Sequence, residues 1–586
     1  MKLGAFDFDP KNLSFGLEGA FEAANISFAT ASSEKDVRYV LPSTARFVRE
    51  ANTVILESTG LSFPVITGEG GIEPNYVPAL PAPRPAPDPS LYGHVALEDE
   101  GEGFSVRMRF RVPGGVRCNI LHLSGLPKST EVIVPAEGGV HLSDLPEGAT
   151  IVYEYPLPFQ WAHQFAILLF GNKGFWISCE DFPVRMKRLL ISSRAGDRRI
   201  GLSFITEADA PHKLEEYTSP PIRLEAFEGD WRIPAARYKT MLAKRFNLAP
   251  YQERTDFPAW AKEICLWVEL RGMSWGGVAI HTFAQMEQRV DEIAELIEPK
   301  KALLYLSGWD DWYDGQNPEY LPCEELGGAD AFRRLVEHAH RRGFKICPYV
   351  NAIALNLYHP LWDKFKSRSL LAADGSQAGW AADYDGDGVL QPKTGYISPD
   401  CPEWRQILVS AARRLAVEFG CDAVFFDQLC HFYNSPNEDM SRGIALLLKE
   451  LRAAVPKDFL ITAEGIAETF FGDVANCMDF GHGRPWANPN QDPAEYYGFM
   501  RGVRPHPIVR FLHGDYIRVF GHVCLGQPDE EIFRFRNAYN EKMGIFPTLY
   551  APAFPTKISN FPQMLAIIER AKAVSATGGR VGSSPE

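Results

Sequence analysis

Two rhythms of hydrophobic and polar residues divide the chain. Up to about residue 230, short apolar segments recur between turn residues, at 53–57, 104–112, 131–134, 151–155, 165–170, 174–178, 184–192 and 200–206. In the second of these, Val106, Met108 and Phe110 alternate with Arg107, Arg109 and Arg111, the period of a half-buried strand. Such a succession predicts an antiparallel β-sandwich over residues 1–230. Residues 74–89 interrupt it with seven prolines; they fit neither helix nor central strand and read as an extended excursion. A helix is expected at 233–246, inside a linker of residues 231–260.

From residue 261 to 586 the rhythm becomes strand, helix, strand, helix. Short apolar runs without alternation suit strands buried on both faces. They fall at 264–269, 302–306, 344–350, 423–426, 459–463, 474–480, 508–512 and 545–550. Helical patterns lie at 284–297, 329–342, 404–419, 440–454, 530–543 and 562–573. In the first, Met286, Val290, Ile293 and Ile297 share one face. An insertion at 355–400 separates the third strand from its helix. Eight alternations predict the α/β class and a (β/α)8 TIM barrel behind the β-sandwich. The rival, an open doubly wound sheet with a nucleotide, lacks a Gly-rich loop after any strand.

Barrels carry their chemistry at the C-terminal ends of the strands. The fourth run ends in Asp427 and the fifth in Glu464. Either could simply cap the following turn. Together they offer two carboxylates from adjacent strands, about 4.8 Å apart, close to the 5–5.5 Å of a retaining glycosidase. Trp309, Asp310 and Trp312 follow the second strand; aromatic faces and carboxylates suit a carbohydrate, or the loop is a packed plug. Asn351, Gln428 and His431 are further rim candidates for substrate, and Asp479 and His482 stand at the end of the sixth strand. Glu269 and Arg271 read as a structural ion pair at the end of the first strand. Asp383, Asp385 and Asp387 open like a calcium loop, but Thr394 stands where that loop needs its glutamate, so only a looser structural calcium is considered.

The barrel half, residues 255–575, resembles retaining α-glycosidases related to the α-amylase superfamily, among them endo-α-N-acetylgalactosaminidase-like barrels. The resemblance rests on Phe425-Phe426-Asp427-Gln428, Thr462-Ala463-Glu464-Gly465 and Leu512-His513-Gly514-Asp515. It implies Asp427 as nucleophile, Glu464 as acid/base, and His513 and Asp515 as substrate contacts after the seventh strand. In α-galactosidase-like barrels the acid/base follows the sixth strand, which here is Asp479. Phe425 stands where α-amylases have arginine, so starch-type specificity is not implied. A carbohydrate-binding barrel without catalysis is the alternative of another class.

Composition narrows the partners. The net charge of −14 and the lack of a basic block argue against nucleic acid. No apolar run approaches the roughly 20 residues that cross a membrane, and the N-terminus lacks an apolar signal core. Ten cysteines without a Cys-x-x-Cys pair read as reduced core residues of a cytoplasmic protein. The expected partner is an oligosaccharide or other glycoside, with no cofactor and no metal at the site.

Overall fold

A computed structural model describes residues 1–576 except 34–35, 41–44, 59–60, 63–91, 137, 158–160, 182–183, 209–213, 275–276, 312–317, 373–374, 383–390, 436–437, 480–501, 523–536, 538–539 and 542. The proline-rich segment, Trp312, the three aspartates of the calcium reading and His482 lie outside the described residues.

Two antiparallel sheets, of ten and eleven strands among the described residues, are built from the N-terminal part apart from one strand of the larger sheet. They face each other. Phe6 of the first meets Phe104 and Phe175 of the second, with ring centroids 5.4 and 5.7 Å apart. Phe28, Leu121 and Phe204 enter the shared core from one side, and Val95, Val106 and Ile177 from the other. The alternation at Gly103–Arg111 behaves as its pattern requires, with the three arginines exposed. The longest strand, Phe21–Ser33, has no counterpart among the expected runs, since its Ala, Asn and Ser residues carry little strand signal. Val503–Pro505, far along the chain, adds antiparallel to Val140–Leu142, so the two halves share a sheet.

Eight parallel strands form a nearly closed barrel. In chain order they are Leu266–Arg271, Ala302–Ser307, Lys345–Asn351, Ala423–Asp427, Leu460–Glu464, Asn476–Asp479, Arg518–Gly521 and Thr548–Tyr550. The eighth pairs with the first at Trp267–Glu269. Between the seventh and eighth the link is a single bridge, Phe520 to Phe546. Helices Phe283–Leu296, Gly328–Arg342, Pro402–Arg413, Met440–Ala454 and Pro562–Ala576 follow the expected order. The expected helix at 530–543 falls largely outside the described residues. The barrel interior is filled by Trp267, stacked on Phe520 at 4.8 Å and on Tyr305 at 6.3 Å, with Phe425 at its edge. The polar rim lies one step further along these strands.

One expected element is of the wrong type. The run at 508–512 is a helix, Ile508–His513, and the seventh strand is Arg518–Gly521 instead. Pro507 precedes that run, and its fixed φ suits the start of a helix. A short apolar run does not by itself distinguish helix from strand. Among the described residues no helix is long and apolar enough to cross a membrane. The nine described cysteines are free, and all but Cys323 are buried.

Candidate functional site

Side chains alternate along a strand, so the interior phase set by Trp267, Phe425 and Phe520 continues to the rim. It aims Glu269, Arg271, Ser307, Tyr349, Asn351, Asp427, Glu464 and Asp479 inward, with His522 directly after the seventh strand. Asp427, Glu464 and Asp479 are buried, with relative exposures of 9%, 4% and 3%. Burial, and after it the charges of Glu464, Asp427 and Asp479, push the thiol of Cys430 far above its ordinary range.

Asp427 is held from the third strand. Its Oδ2 accepts hydrogen bonds from the Tyr349 hydroxyl at 3.0 Å and from Asn351 Nδ2 at 2.9 Å. Asn351 is itself fixed, because its Oδ1 accepts the backbone N–H groups of Ile353 and Ala354 at 3.0 and 2.7 Å. The strand register sets Asn351 directly beside Asp427. Gln428 then turns the chain in the left-handed region, with φ of 55°. That turn aims its N–H at Glu464 Oε2, 3.0 Å away, while its side-chain amide joins Asn351 and Tyr396. Glu464 Oε1 lies 3.7 Å from His522 Nε2. His431 is half-buried beside Tyr396, and burial lowers its pKa to about 4. Asp310 is at the same rim, where its charge, after burial, helps push up the Tyr320 hydroxyl that bonds to Asn351.

Glu269 and Arg271 do form a buried ion pair, at 2.8 Å, which Ser307 joins by a hydrogen bond to Glu269. Arg271 also lies over the Tyr550 ring at 5.0 Å.

Three expected contacts are placed elsewhere. Trp309 is fully buried against Phe332 of the following helix, and its indole N–H donates to the Tyr349 carbonyl at 2.9 Å. It is a packing plug, since no face of the ring is left for a sugar. His513 ends the helix Ile508–His513 and is buried against His163, with Nε2 atoms 2.5 Å apart. Asp515 is exposed and pairs with Lys239. Both follow the misassigned element, and neither is at the rim of the seventh strand. His522 occupies that rim position and was not singled out. Its signal was the alternation of Phe520 and His522 along the correct strand. Tyr349 and Tyr396 were missed as well, because nothing local separates a rim tyrosine from a core one.

A family described as "Domain of unknown function (DUF6259)" matches residues 221–523, more than half of the chain. The chain belongs to that family. No curated protein matches the sequence. Solved structures of the α-N-acetylgalactosaminidase NagBb from Bifidobacterium bifidum are similar in fold. The GalNAc complex superposes with a TM-score of 0.69 at 15% identity, over 99% of this chain and 93% of that one. For the ligand-free form the values are 0.67, 14%, 99% and 94%. The Gal-NHAc-DNJ complex gives 0.69, 14%, 98% and 93%. Both the sheets and the barrel are therefore part of the shared fold.

Proposed function

We propose that this protein is a retaining glycoside hydrolase that cleaves an α-linked sugar of the galactose or N-acetylgalactosamine kind. The observation that carries the reading is the set of three buried carboxylates at the ends of the fourth, fifth and sixth barrel strands. The similarity in fold to an α-N-acetylgalactosaminidase over nearly all of both chains supports the sugar class.

In this reading Asp427 attacks the anomeric carbon, and an acid group protonates the departing oxygen. The hydrogen bonds from Tyr349 and Asn351 stabilise the charge of Asp427 and fix its direction. The proton donor is Asp479. Glu464 already takes a backbone N–H on one oxygen and faces His522 with the other, an arrangement that suits an oriented anion. A second reading makes Glu464 the donor, and its place on the strand beside Asp427 favours it. In both, water then releases the sugar with its configuration kept.

Aryl α-galactoside and α-N-acetylgalactosaminide substrates test the proposal. Proton NMR of the first-formed sugar should show the α anomer, and Asp427→Asn should lower turnover at least about a thousandfold while leaving Tm within a few degrees. A β anomer, or a variant that keeps a tenth of the activity, would overturn it.

A further inference from the structure

Beside the carboxylates lies a group with a different chemistry. Cys430, His431 and Glu464 each offer one ligand atom, and these atoms all lie within 4.8 Å of one another. The cluster follows from the turn at Gln428. Its left-handed backbone folds the chain back after the fourth strand. The next residues then return toward the end of the fifth, and the His431 N–H closes the turn on the Gln428 carbonyl at 3.1 Å.

We infer that Cys430, His431 and Glu464 form a binding site for a thiophilic divalent cation, zinc in particular, at the mouth of the barrel. Thiolate sulfur, imidazole nitrogen and carboxylate oxygen are the donor set that zinc prefers over magnesium or calcium. Bonds of about 2.0–2.3 Å require the donors to draw together by up to about 1 Å from their present span. Half-buried His431 and the carboxylate of Glu464 have side-chain torsions to do so. A neutral imidazole is the form that ligates zinc, and His431 supplies that ring to the cluster. A thiol must lose its proton to become a zinc ligand, and Cys430 carries that thiol. On binding it gives its proton to solvent as the sulfur–zinc bond forms, one proton released per ion. His522, 3.7 Å from Glu464, stands next to the third donor. The site uses a carboxylate of the proposed catalytic group, so a bound ion would occupy the space a sugar needs. Binding itself does not depend on the glycosidase reading.

The test uses the full-length protein and the metals alone. Equilibrium dialysis should show one Zn²⁺ held per chain. Co²⁺ in its place should give thiolate-to-metal charge-transfer absorption in the near ultraviolet. Cys430→Ser should abolish that absorption and weaken Zn²⁺ binding at least tenfold. His431→Ala should also weaken it, and this half-buried position keeps the test open if the serine variant folds poorly. Cys118→Ser, a buried thiol in the N-terminal sheets, should change neither. Failure to bind one equivalent, or binding indifferent to Cys430→Ser and His431→Ala, would overturn the site. Inhibition of aryl glycoside turnover by Zn²⁺, relieved in His431→Ala, is read separately. A protein that binds Zn²⁺ but cleaves no glycoside would refute the proposed function and leave the metal site standing.

Discussion

In the proposed reaction, the chemistry at Glu464 and Asp479 turns on which carboxyl gives up a proton. A sugar leaving group needs that proton in the transition state, whereas a dinitrophenolate does not. Asp479→Ala should therefore abolish cleavage of natural glycosides and spare the first step on an activated aryl glycoside. Water activation also fails, so the glycosyl-enzyme accumulates, and azide, which needs no deprotonation, restores turnover with retained configuration. Glu464→Ala should slow good and poor leaving groups alike, because it frees the Gln428 N–H and leaves His522 without its carboxylate neighbour. Azide rescue of Glu464→Ala and not of Asp479→Ala would reverse the two roles. These residues were legible because a carboxylate after an apolar run is visible in sequence. The neighbours of this rim were not, among them Tyr349 on Asp427, Tyr396 on Gln428 and His522 beside Glu464, since contacts between strands and loops depend on register.

At the scale of elements, the helix Met440–Ala454 shows how a backbone approach overrides propensity. A Cβ on Gly443 would sit 2.2 Å from the backbone nitrogen of Asp400 and 2.7 Å from the Pro399 carbonyl carbon. Alanine gains about 1 kcal/mol of helix propensity over glycine. Overpacking a tight contact costs about 1–3 kcal/mol, and here the obstacle is backbone that cannot rotate away. The clash also pushes on Asp400, whose carboxylate takes two hydrogen bonds from Arg442 at 2.9 and 2.6 Å. Gly443→Ala should lower stability by up to about 2 kcal/mol net, read as an earlier midpoint in urea unfolding. An unchanged or later midpoint would show that the helix can shift. This helix was placed correctly by its periodicity, and so were most barrel strands, because length and flanking residues agreed with the apolar pattern. At 508–512 only the apolar pattern spoke, and it fits both element types.

The molecule as a whole is joined by a buried polar network. Glu468 is fully buried and accepts hydrogen bonds from Tyr155, His163, Gln164 and Tyr238, three of them at 2.7–2.9 Å. Burial alone would raise its pKa, but these partners outweigh it and hold the carboxyl below its ordinary range. His163 passes the contact on to His513, whose pKa burial, then the charge of His163, drives well below normal. His122 is similarly lowered, to about 4, and His506 to about 3, in both cases by burial first. An imidazole depressed in the folded chain is protonated first in the unfolded one. Its stabilisation is therefore complete above about pH 6.5 and shrinks as pH falls below that value. At about 1.4 kcal/mol per unit, the shift of His122 from 6.5 to about 4 removes roughly 3 kcal/mol by pH 4. Tm should decline from pH 6.5 downward, before most carboxylates titrate, and His513→Gln should flatten that decline. A Tm flat between pH 6.5 and 5 would contradict this account.

The apolar periodicities alone determined the α/β class, the order of sheets before barrel, and the strand ends that carry Asp427, Glu464 and Asp479. Each of these rests on local regularities, period 2, period 3.6 and a polar stop. The tertiary structure decided what depends on contact between distant segments. It seated the indole of Trp309 in the core, carried His513 to a junction with His163, and paired Val503–Pro505 with a strand some 360 residues earlier. It also brought His522 to Glu464 and Cys430 to the carboxylates. No local pattern encodes such meetings, because they follow from barrel closure and from the packing of one half of the chain on the other.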